Sequence, residues 1–465
     1  MSEITASLLA PLRAILGADF VRTDADSLAQ YGRDRTKNWA AAPCAVVLPA
    51  NTEQVQAIVR WAYEKSVAIV PSGGRTGLSG GAVAHRGELV LNLERLRQIG
   101  DFDPVERSVR VGAGVLTGQL QAWAAEQGLF YPVDFAAAGS SQIGGNIATN
   151  AGGIKVIRWG MTRDWVRGLK VVTGTGELLN LNQGLLKNNA GYDLRHLMIG
   201  SEGTLGVIVE ATMGLITPPR QLTVLLLAAP SMDAVMQLLH TFQNRLELTA
   251  FEFFSESALA KVLARSGLAR PMETEGEFYA LLEFDNTSAA IEAQALAVFE
   301  ESLEAGWALD GTMSQNEEQR IKLWRLREEI SETIAPSSPY KNDIAVRVAQ
   351  IPAFLHEISA LVAKNYPDFE IIWFGHIGDG NLHLNILKPE NLSQADFYAR
   401  CHGVSRQVFE VVQRYGGTIS AEHGVGLLKK DYLPYSRSAA EIALMRAIKH
   451  SFDPKGILNP GKIFD

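Results

Sequence analysis

The run Pro71-Ser72-Gly73-Gly74-Arg75-Thr76-Gly77-Leu78-Ser79-Gly80-Gly81 sets five glycines in eleven residues directly behind the apolar stretch 67–71 (VAIVP). Glycine permits positive φ and lets backbone approach a ligand closely, so successive N–H groups can converge on an anion such as a pyrophosphate. The run is neither G-x-G-x-x-G nor the P-loop with its Gly-Lys-Ser/Thr, so neither of the two commonest nucleotide folds is indicated. A second loop, Gly139-Ser140-Ser141-Gln142-Ile143-Gly144-Gly145-Asn146, runs on through Thr149 and Asn150 to Gly153. A third, Gly200-Ser201-Glu202-Gly203-Thr204-Leu205-Gly206-Val207-Ile208, opens a strand. Any one of them reads equally well as a tight turn. Three inside 140 residues better suit a long ligand with a diphosphate at its middle, which needs several separate contacts.

Around these loops strands and helices interleave. Residues 45–70 read strand, helix, strand, with Asn51 or Thr52 as the helix cap. Strands at 88–93 and 108–114, a helix at 115–128, and a strand pair about the turn Gly174-Thr175-Gly176 carry the pattern to about residue 216. Thr217-Pro218-Pro219 then ends a strand and stiffens the crossing to the second half of the chain. Beyond it lie apolar strands at 222–230, 250–255, 279–285, 370–376 and 381–387, with helices at 232–243, 287–305, 315–334 and 356–366. The expectation is an α+β chain. Interleaved strands and helices make one domain over 1–217, an antiparallel sheet with helices on one face spans 218–415, and a turn-rich, ordered tail spans 416–465.

Bulk properties exclude some classes. A chain of 465 residues exceeds one core, and 47% hydrophobic with 20% charged residues fits neither a disordered nor a fibrous protein. A net charge of −8 argues against nucleic acid as the main partner. Cys44 and Cys401 stand in no metal or redox spacing and read as reduced thiols of a cytoplasmic protein. The N-terminus reads as a short amphipathic helix, not a signal peptide. No run reaches the 18 or more apolar residues of a membrane span, so the expectation is a soluble chain with no integral membrane contact.

The sharpest chemical signal is Trp373-Phe374-Gly375-His376-Ile377-Gly378-Asp379-Gly380-Asn381-Leu382-His383-Leu384-Asn385. A strand reaches His376, Gly378-Asp379-Gly380 turns, and the return strand points His383 and Asn385 to one face. Two imidazoles on one wall suit a transition metal. Glu422, in Ser420-Ala421-Glu422-His423-Gly424-Val425-Gly426, supplies a carboxylate, giving His376, His383 and Glu422 as a metal site with open positions. A 2-hydroxy acid can chelate there, its hydroxyl acidified by the metal, and His423 remains as the general base. Asp379 is assigned to the turn, and His196, His240, His356, His402 and His450 to ordinary polar roles. Arg327 and Ser331, at i and i+4 of a helix, share a face, but an Arg there most often is a solvated charge.

These residues resemble a known family. The three loops are similar to those of the vanillyl-alcohol-oxidase type of FAD-binding domain, and the later segments to the FAD-linked oxidase C-terminal domain. The resemblance implies a two-subdomain FAD-binding domain at 1–217, a substrate and metal domain at 218–415, and a segment at 416–465 that returns to the flavin. Within the family the chain resembles the D-2-hydroxyglutarate dehydrogenases, with D-lactate and glycolate dehydrogenases as cousins. FAD is then expected against Pro71 through Ser79, Gly139, Ser140, Gly144, Gly145, Asn146, Thr149, Asn150, Gly153, Glu202, Gly206, Ile208 and Asn459. His85 stands at an unpersuasive spacing for a flavin tether, so FAD is expected to be non-covalent. The resemblance further implies zinc on His376, His383 and Glu422, His423 acting on substrate, and a diacid held by Arg327, Ser331, Lys341 and Asn385. Ser331 departs from the Thr familiar at its position, which bears on C4 against C5 diacids such as D-malate and D-2-hydroxyglutarate. Electrons are expected to pass to an electron-transfer flavoprotein or quinone, and a homodimer is left open. The rival readings are a D-lactate or glycolate dehydrogenase, the FAD subunit of a multisubunit glycolate oxidase, and a metal-independent flavin oxidase or reductase.

Overall fold

The computed structural model describes residues 6–36 and 38–465; the first five residues of the N-terminal segment lie outside them, and its helix is Ala6–Leu16. The chain forms two compact units: Met1–Gly152, Met161–Pro218 and Glu422–Asp465 make the first, Gly153–Gly160 and Pro219–Ala421 the second.

The first unit holds two sheets with separate cores. One has the order β1-β2-β4-β3, from β1 (Val21–Arg22), β2 (Ala45–Val47), β3 (Ile69–Ser72) and β4 (Leu89–Asn92). β2, β4 and β3 run parallel and β1 antiparallel. All four residues of β4 are buried, as parallel strands covered on both faces must be. Helix Thr52–Lys65 makes the crossover from β2 to β3. It starts where the Asn51 side chain accepts from Gln54 N at 2.9 Å and stops at Ser66 in the left-handed region, φ 53°. Its stripe Val55, Ile58, Val59 and Ala62, at helical spacing, packs with Ala45, Val47, Leu89 and Leu91. The first glycine loop therefore leaves the carboxyl end of a parallel strand, where open α/β sheets bind ligands.

The second sheet is antiparallel, ordered β5-β6-β9-β7-β8: β5 (Ile99–Asp103), β6 (Ser108–Gly112), β7 (Val166–Val172), β8 (Leu178–Leu181) and β9 (Val207–Gly214). Its core joins Val109, Val111, Leu169, Val171 and Ala211 to Ile143 and Ile147. The C-terminal tail returns to β3: Ile69 N donates to Ile457 O, and Asn459 N to Ile69 O, both at 2.7 Å.

The second unit is built on one antiparallel sheet, β13-β10-β12-β11-β15-β16-β14. Its strands are β10 (Leu222–Ala229), β11 (Leu248–Ser255), β12 (Phe278–Asp285), β13 (Asp310–Met313), β14 (Tyr340–Ala345), β15 (Ile371–Gly375) and β16 (Asn381–Ile386). Helices Glu256–Ser266, Glu317–Glu328 and Ile330–Ile334 cover one face, packing on Val224, Leu226, Ala250, Phe254, Leu281, Ile372 and Phe374.

Three features depart from the local sequence reading. The helix expected over 315–334 breaks at Glu329. Residues 143–149 of the second loop coil into helix Ile143–Thr149. Helices Glu256–Ser266, Gln394–Arg414 and Ala439–Phe452 add to those expected, and their caps carried the signal: Ser255, Ser393 and Ser438 each accept a backbone N–H three residues on. Among the described residues no helix is long and apolar enough to cross a membrane.

Candidate active site

In the first unit the loops converge on the end of β3. A Cβ at Gly74 would fall 2.2 Å from the Ser140 carbonyl oxygen and 3.1 Å from Ser141 Cα, so the first loop passes flush under the second only because this residue has no side chain. Asn459 ties in the other two segments: its Nδ2 donates to Gly81 O at 2.9 Å and to Glu202 O at 2.7 Å. Among the described residues, the buried Ser72 Oγ, Gln142 Oε1 and Asn459 Oδ1 have no hydrogen-bond partner. Buried polar atoms are nearly always satisfied, so three orphans around one glycine-lined strand end fit a polar cofactor laid across it.

Other loop residues hold the frame. Arg75, at φ 58°, folds its guanidinium back to Gly73 O (3.1 Å) and over the Tyr31 ring. Gly77 O accepts from Arg35 N, and Pro71 packs on Gly203. Asn146 donates to Thr117 Oγ1 at 2.6 Å, Thr149 bonds back to Gly145 O, and Asn150 accepts from Arg163 N. Gly144 lies against Ala113 and Gly206 against Val171, while Ile208 sits within β9. Among the described residues nothing comes within 4 Å of where a Cβ would stand on Gly139 or Gly145.

The same loops hold His423 by its backbone. Ser79 Oγ donates to His423 O at 2.8 Å and Gly424 O at 2.9 Å. Glu202 accepts from Val425 N (2.7 Å) and Gly426 N (2.8 Å). Its side chain thus clamps the turn behind His423. Burial pushes the Glu202 carboxyl up, against those two N–H groups and the charges of Lys429 and Lys462. Lys462, 1% exposed, donates to Val83 O at 2.8 Å, and burial lowers its ammonium to about 8. The His423 Nε2 and Glu422 Oε1 atoms lie 3.4 Å apart.

In the second unit the period-two alternation of strands builds one polar patch. Across β11, β15, β16 and β14, Phe254 pairs with Phe374, Phe374 with His383, and His383 with Asp343; one row on, Lys341 pairs with Asn385. Directly opposed residues share a face, as do residues two apart. Glu252, Phe254, Phe374, His383, Asn385, Asp343 and Lys341 therefore project from the face that helix Glu317–Glu328 covers, and His376 joins them just past β15. The His376 and His383 rings stand 5.3 Å apart, near-perpendicular. His376 Nδ1 lies 2.8 Å from both oxygens of Glu252. A carboxylate there makes Nδ1 the donor, so Nε2 is the ring nitrogen that a metal would meet.

Arg327 lies on this patch rather than in solvent. Arg320, Trp324 and Arg327, at i, i+4 and i+7, form the inner face of their helix, and Arg327 is 5% exposed. Its Nη2 bonds Glu252 Oε2 at 2.8 Å and its guanidinium lies over the Phe374 ring. Among the described residues its buried Nε has no acceptor. Ser331 falls on the next helical piece, past the break, and both it and Lys341 are part-exposed. Asp343, fully buried, accepts from Asn381 Nδ2 at 2.9 Å. Its carbonyl accepts from Ala421 N at 3.3 Å, so the residue bonded next in the chain is Glu422.

Comparison with known proteins gives this arrangement a family. The model of the FAD linked oxidases' C-terminal domain matches residues 218–463, and that of a FAD binding domain residues 43–182. The chain belongs to the FAD-linked oxidases. This FAD-linked oxidase is 60% identical over 458 residues to a D-2-hydroxyglutarate dehydrogenase of Stutzerimonas stutzeri (strain A1501), covering 98% of this chain and 99% of that protein. It is 57% identical over 445 residues to one of Xanthomonas citri pv. viticola, covering 96% and 94%. In fold it is similar to p-cresol methylhydroxylase solved with substrate bound, at a TM-score of 0.79 and 17% identity over 99% and 96% of the two chains. Glu252 and Asp343 escaped the sequence reading. The signal for Asp343 was its place two residues from Lys341 in a strand; Glu252, inside the apolar run AFEFFS, was a charge in a core strand.

Proposed function

We propose that this oxidase is a FAD- and metal-dependent dehydrogenase that converts D-2-hydroxyglutarate, and D-malate as a second substrate, to the 2-oxo acid. The observation that carries the diacid is Arg327: a buried guanidinium whose Nε has no acceptor among the described residues, on the sheet face that holds the two imidazoles. An unpaired donor of that kind costs free energy until an acceptor arrives, and a carboxylate matches its fork. Lys341 supplies a second cation, and Ser331 and Asn385 supply hydrogen bonds. His376, His383 and Glu422 are the proposed metal ligands; Glu422 comes directly after Ala421, which is bonded to the strand opposite His383. A divalent metal, zinc in this reading, would supply Lewis acidity toward the hydroxyl of the acid. FAD, held non-covalently by the glycine loops, would supply the acceptor for a hydride from C2. His423, held by Ser79 at its carbonyl, takes the hydroxyl proton on an imidazole nitrogen. An electron-transfer flavoprotein or quinone is the proposed acceptor, and the proposed location is cytoplasmic, in keeping with two free thiols.

The test is anaerobic bleaching of the flavin absorbance by D-2-hydroxyglutarate, D-malate, D-lactate or glycolate, with and without chelator. Bleaching by the diacids, lost on chelation and restored by zinc, is the expected result. Bleaching by lactate or glycolate alone removes the diacid assignment, and bleaching that chelation leaves untouched removes the metal.

A further inference from the structure

We infer that Glu252 is the positioning residue that locks the metal ligand His376 and the carboxylate-binding Arg327 into one rigid unit; this rests on the function proposed above. Glu252 is 1% exposed and sits mid-strand in β11, where a carboxylate has no solvent to fall back on. Both its oxygens lie 2.8 Å from His376 Nδ1, and Oε2 is also 2.8 Å from Arg327 Nη2. One anion thus serves two donors with different tasks.

Toward His376 it accepts from Nδ1, which fixes the tautomer and the ring plane and makes Nε2 the nitrogen that a metal would meet. Carboxylates in this relation to a ligating imidazole raise its basicity and orient it. Toward Arg327 it neutralises a charge that the surrounding apolar layer of Phe254, Leu326 and Phe374 could not hold alone. It also pins one arm of the fork, leaving Nε to an incoming carboxylate. The distance between the metal-binding end and the carboxylate-binding end of a substrate is then set by one side chain. A monoacid, which needs only the metal end, does not use the Arg327 half of this brace. A glutamine cannot replace it: its amide offers one acceptor oxygen, and its NH2 turns a donor toward either His376 Nδ1–H or the guanidinium.

The experiment compares wild type with Glu252→Gln, Glu252→Asp, Arg327→Met and His376→Ala as FAD-loaded proteins. Zinc affinity is read by competition with a chromophoric chelator, FAD content by absorbance, Tm by melting, and KM with D-2-hydroxyglutarate and with D-lactate. In Glu252→Gln zinc should bind about 10–100-fold more weakly. Its diacid KM should rise about tenfold or more, as loss of an ordered charge-assisted hydrogen bond implies. FAD content should be unchanged. Arg327→Met should keep wild-type zinc affinity and lose only diacid affinity, a split that general loosening of the sheet would not produce. Glu252→Asp, which keeps the charge but retracts it, should fall between. Wild-type zinc affinity in Glu252→Gln, with His376→Ala defective, overturns the role of Glu252 alone. Wild-type zinc affinity in His376→Ala overturns the metal site itself. Should Glu252→Gln fail to accumulate, unaltered zinc affinity in Glu252→Asp overturns the inference.

Discussion

Replacing Lys155 by Met tests whether the second unit is held by a buried charge network. Glu283 has no exposed surface and accepts from Thr249 Oγ1 (2.6 Å), Trp324 Nε1 (2.8 Å), Arg320 Nη1 (3.2 Å) and, in a close ion pair, Lys155. Lys155 also lies 4.7 Å from the Trp324 ring centroid. Removing one partner of a buried pair costs about 3–5 kcal/mol, because the other charge stays behind in the core. Glu283 keeps three donors in the variant, which places the loss at the lower end, about 3 kcal/mol. In a unit of roughly 200 residues that lowers Tm by about 6–12 °C. The pH dependence has a defined sign. Burial raises the Glu283 carboxyl, but Lys155 and the hydrogen-bond donors outweigh it and hold the pKa below the ordinary 4.5. A depressed carboxylate contributes stability that is present above 4.5 and lost as pH falls through the folded value, so the wild-type advantage should narrow on acidification below 4.5. Melting curves of wild type, Lys155→Met, Glu283→Gln and the double variant at several pH values measure both effects. A Tm change within that of a surface substitution, or strict additivity of the two single variants, refutes the reasoning.

Three further outcomes are expected. Gly74→Ala, whose methyl must push the Ser140 backbone away, should cost about 1–3 kcal/mol and purify with much less FAD, whereas Gly100→Ala, with nothing within 4 Å of its Cβ, should keep it; equal flavin content would show that the loops need not touch. His423→Asn should retain FAD and slow anaerobic flavin reduction by about 10²–10⁴-fold, and normal reduction would remove it as the base. Lys462 has a folded pKa lowered to about 8 from 10.5, so wild-type stability should rise relative to Lys462→Met as pH climbs from 8 to 10.5; a flat difference over that window in chemical denaturation would contradict a buried, strained ammonium.

Much of the fold was legible because its signals are local. Apolar runs marked β10, β12 and β15, alternation marked β16, and Asn51 or Thr52 announced the helix after β2. The glycine run announced a backbone that something approaches closely, though at Gly74 the approaching atom is Ser140 O. Arg327 shows the limit. Its helix spacing was readable, but an arginine at such a position is indifferent between solvent and core until a partner is known. That partner, Glu252, lies 75 residues away in an apolar strand. Glu202 is similar: glycines on both sides advertised a ligand loop, while its carboxylate in fact clamps the turn at Val425 and Gly426.

By itself, then, the sequence determined the inventory: the glycine loops, two histidines and an asparagine set to one side of a hairpin, a Glu-His pair ahead of a glycine, and a helix with Arg327 and Ser331 on one face. Those arise from backbone period and residue chemistry, which act over a few positions. The tertiary structure alone decided which charges face each other, because strand order and register are fixed by burial of the whole sheet. The register of β14 against β16 set Asp343 opposite His383 and Lys341 opposite Asn385. Packing of helix Glu317–Glu328 on β11 paired Arg327 with Glu252, because a buried guanidinium is tolerated only where the fold already supplies an anion.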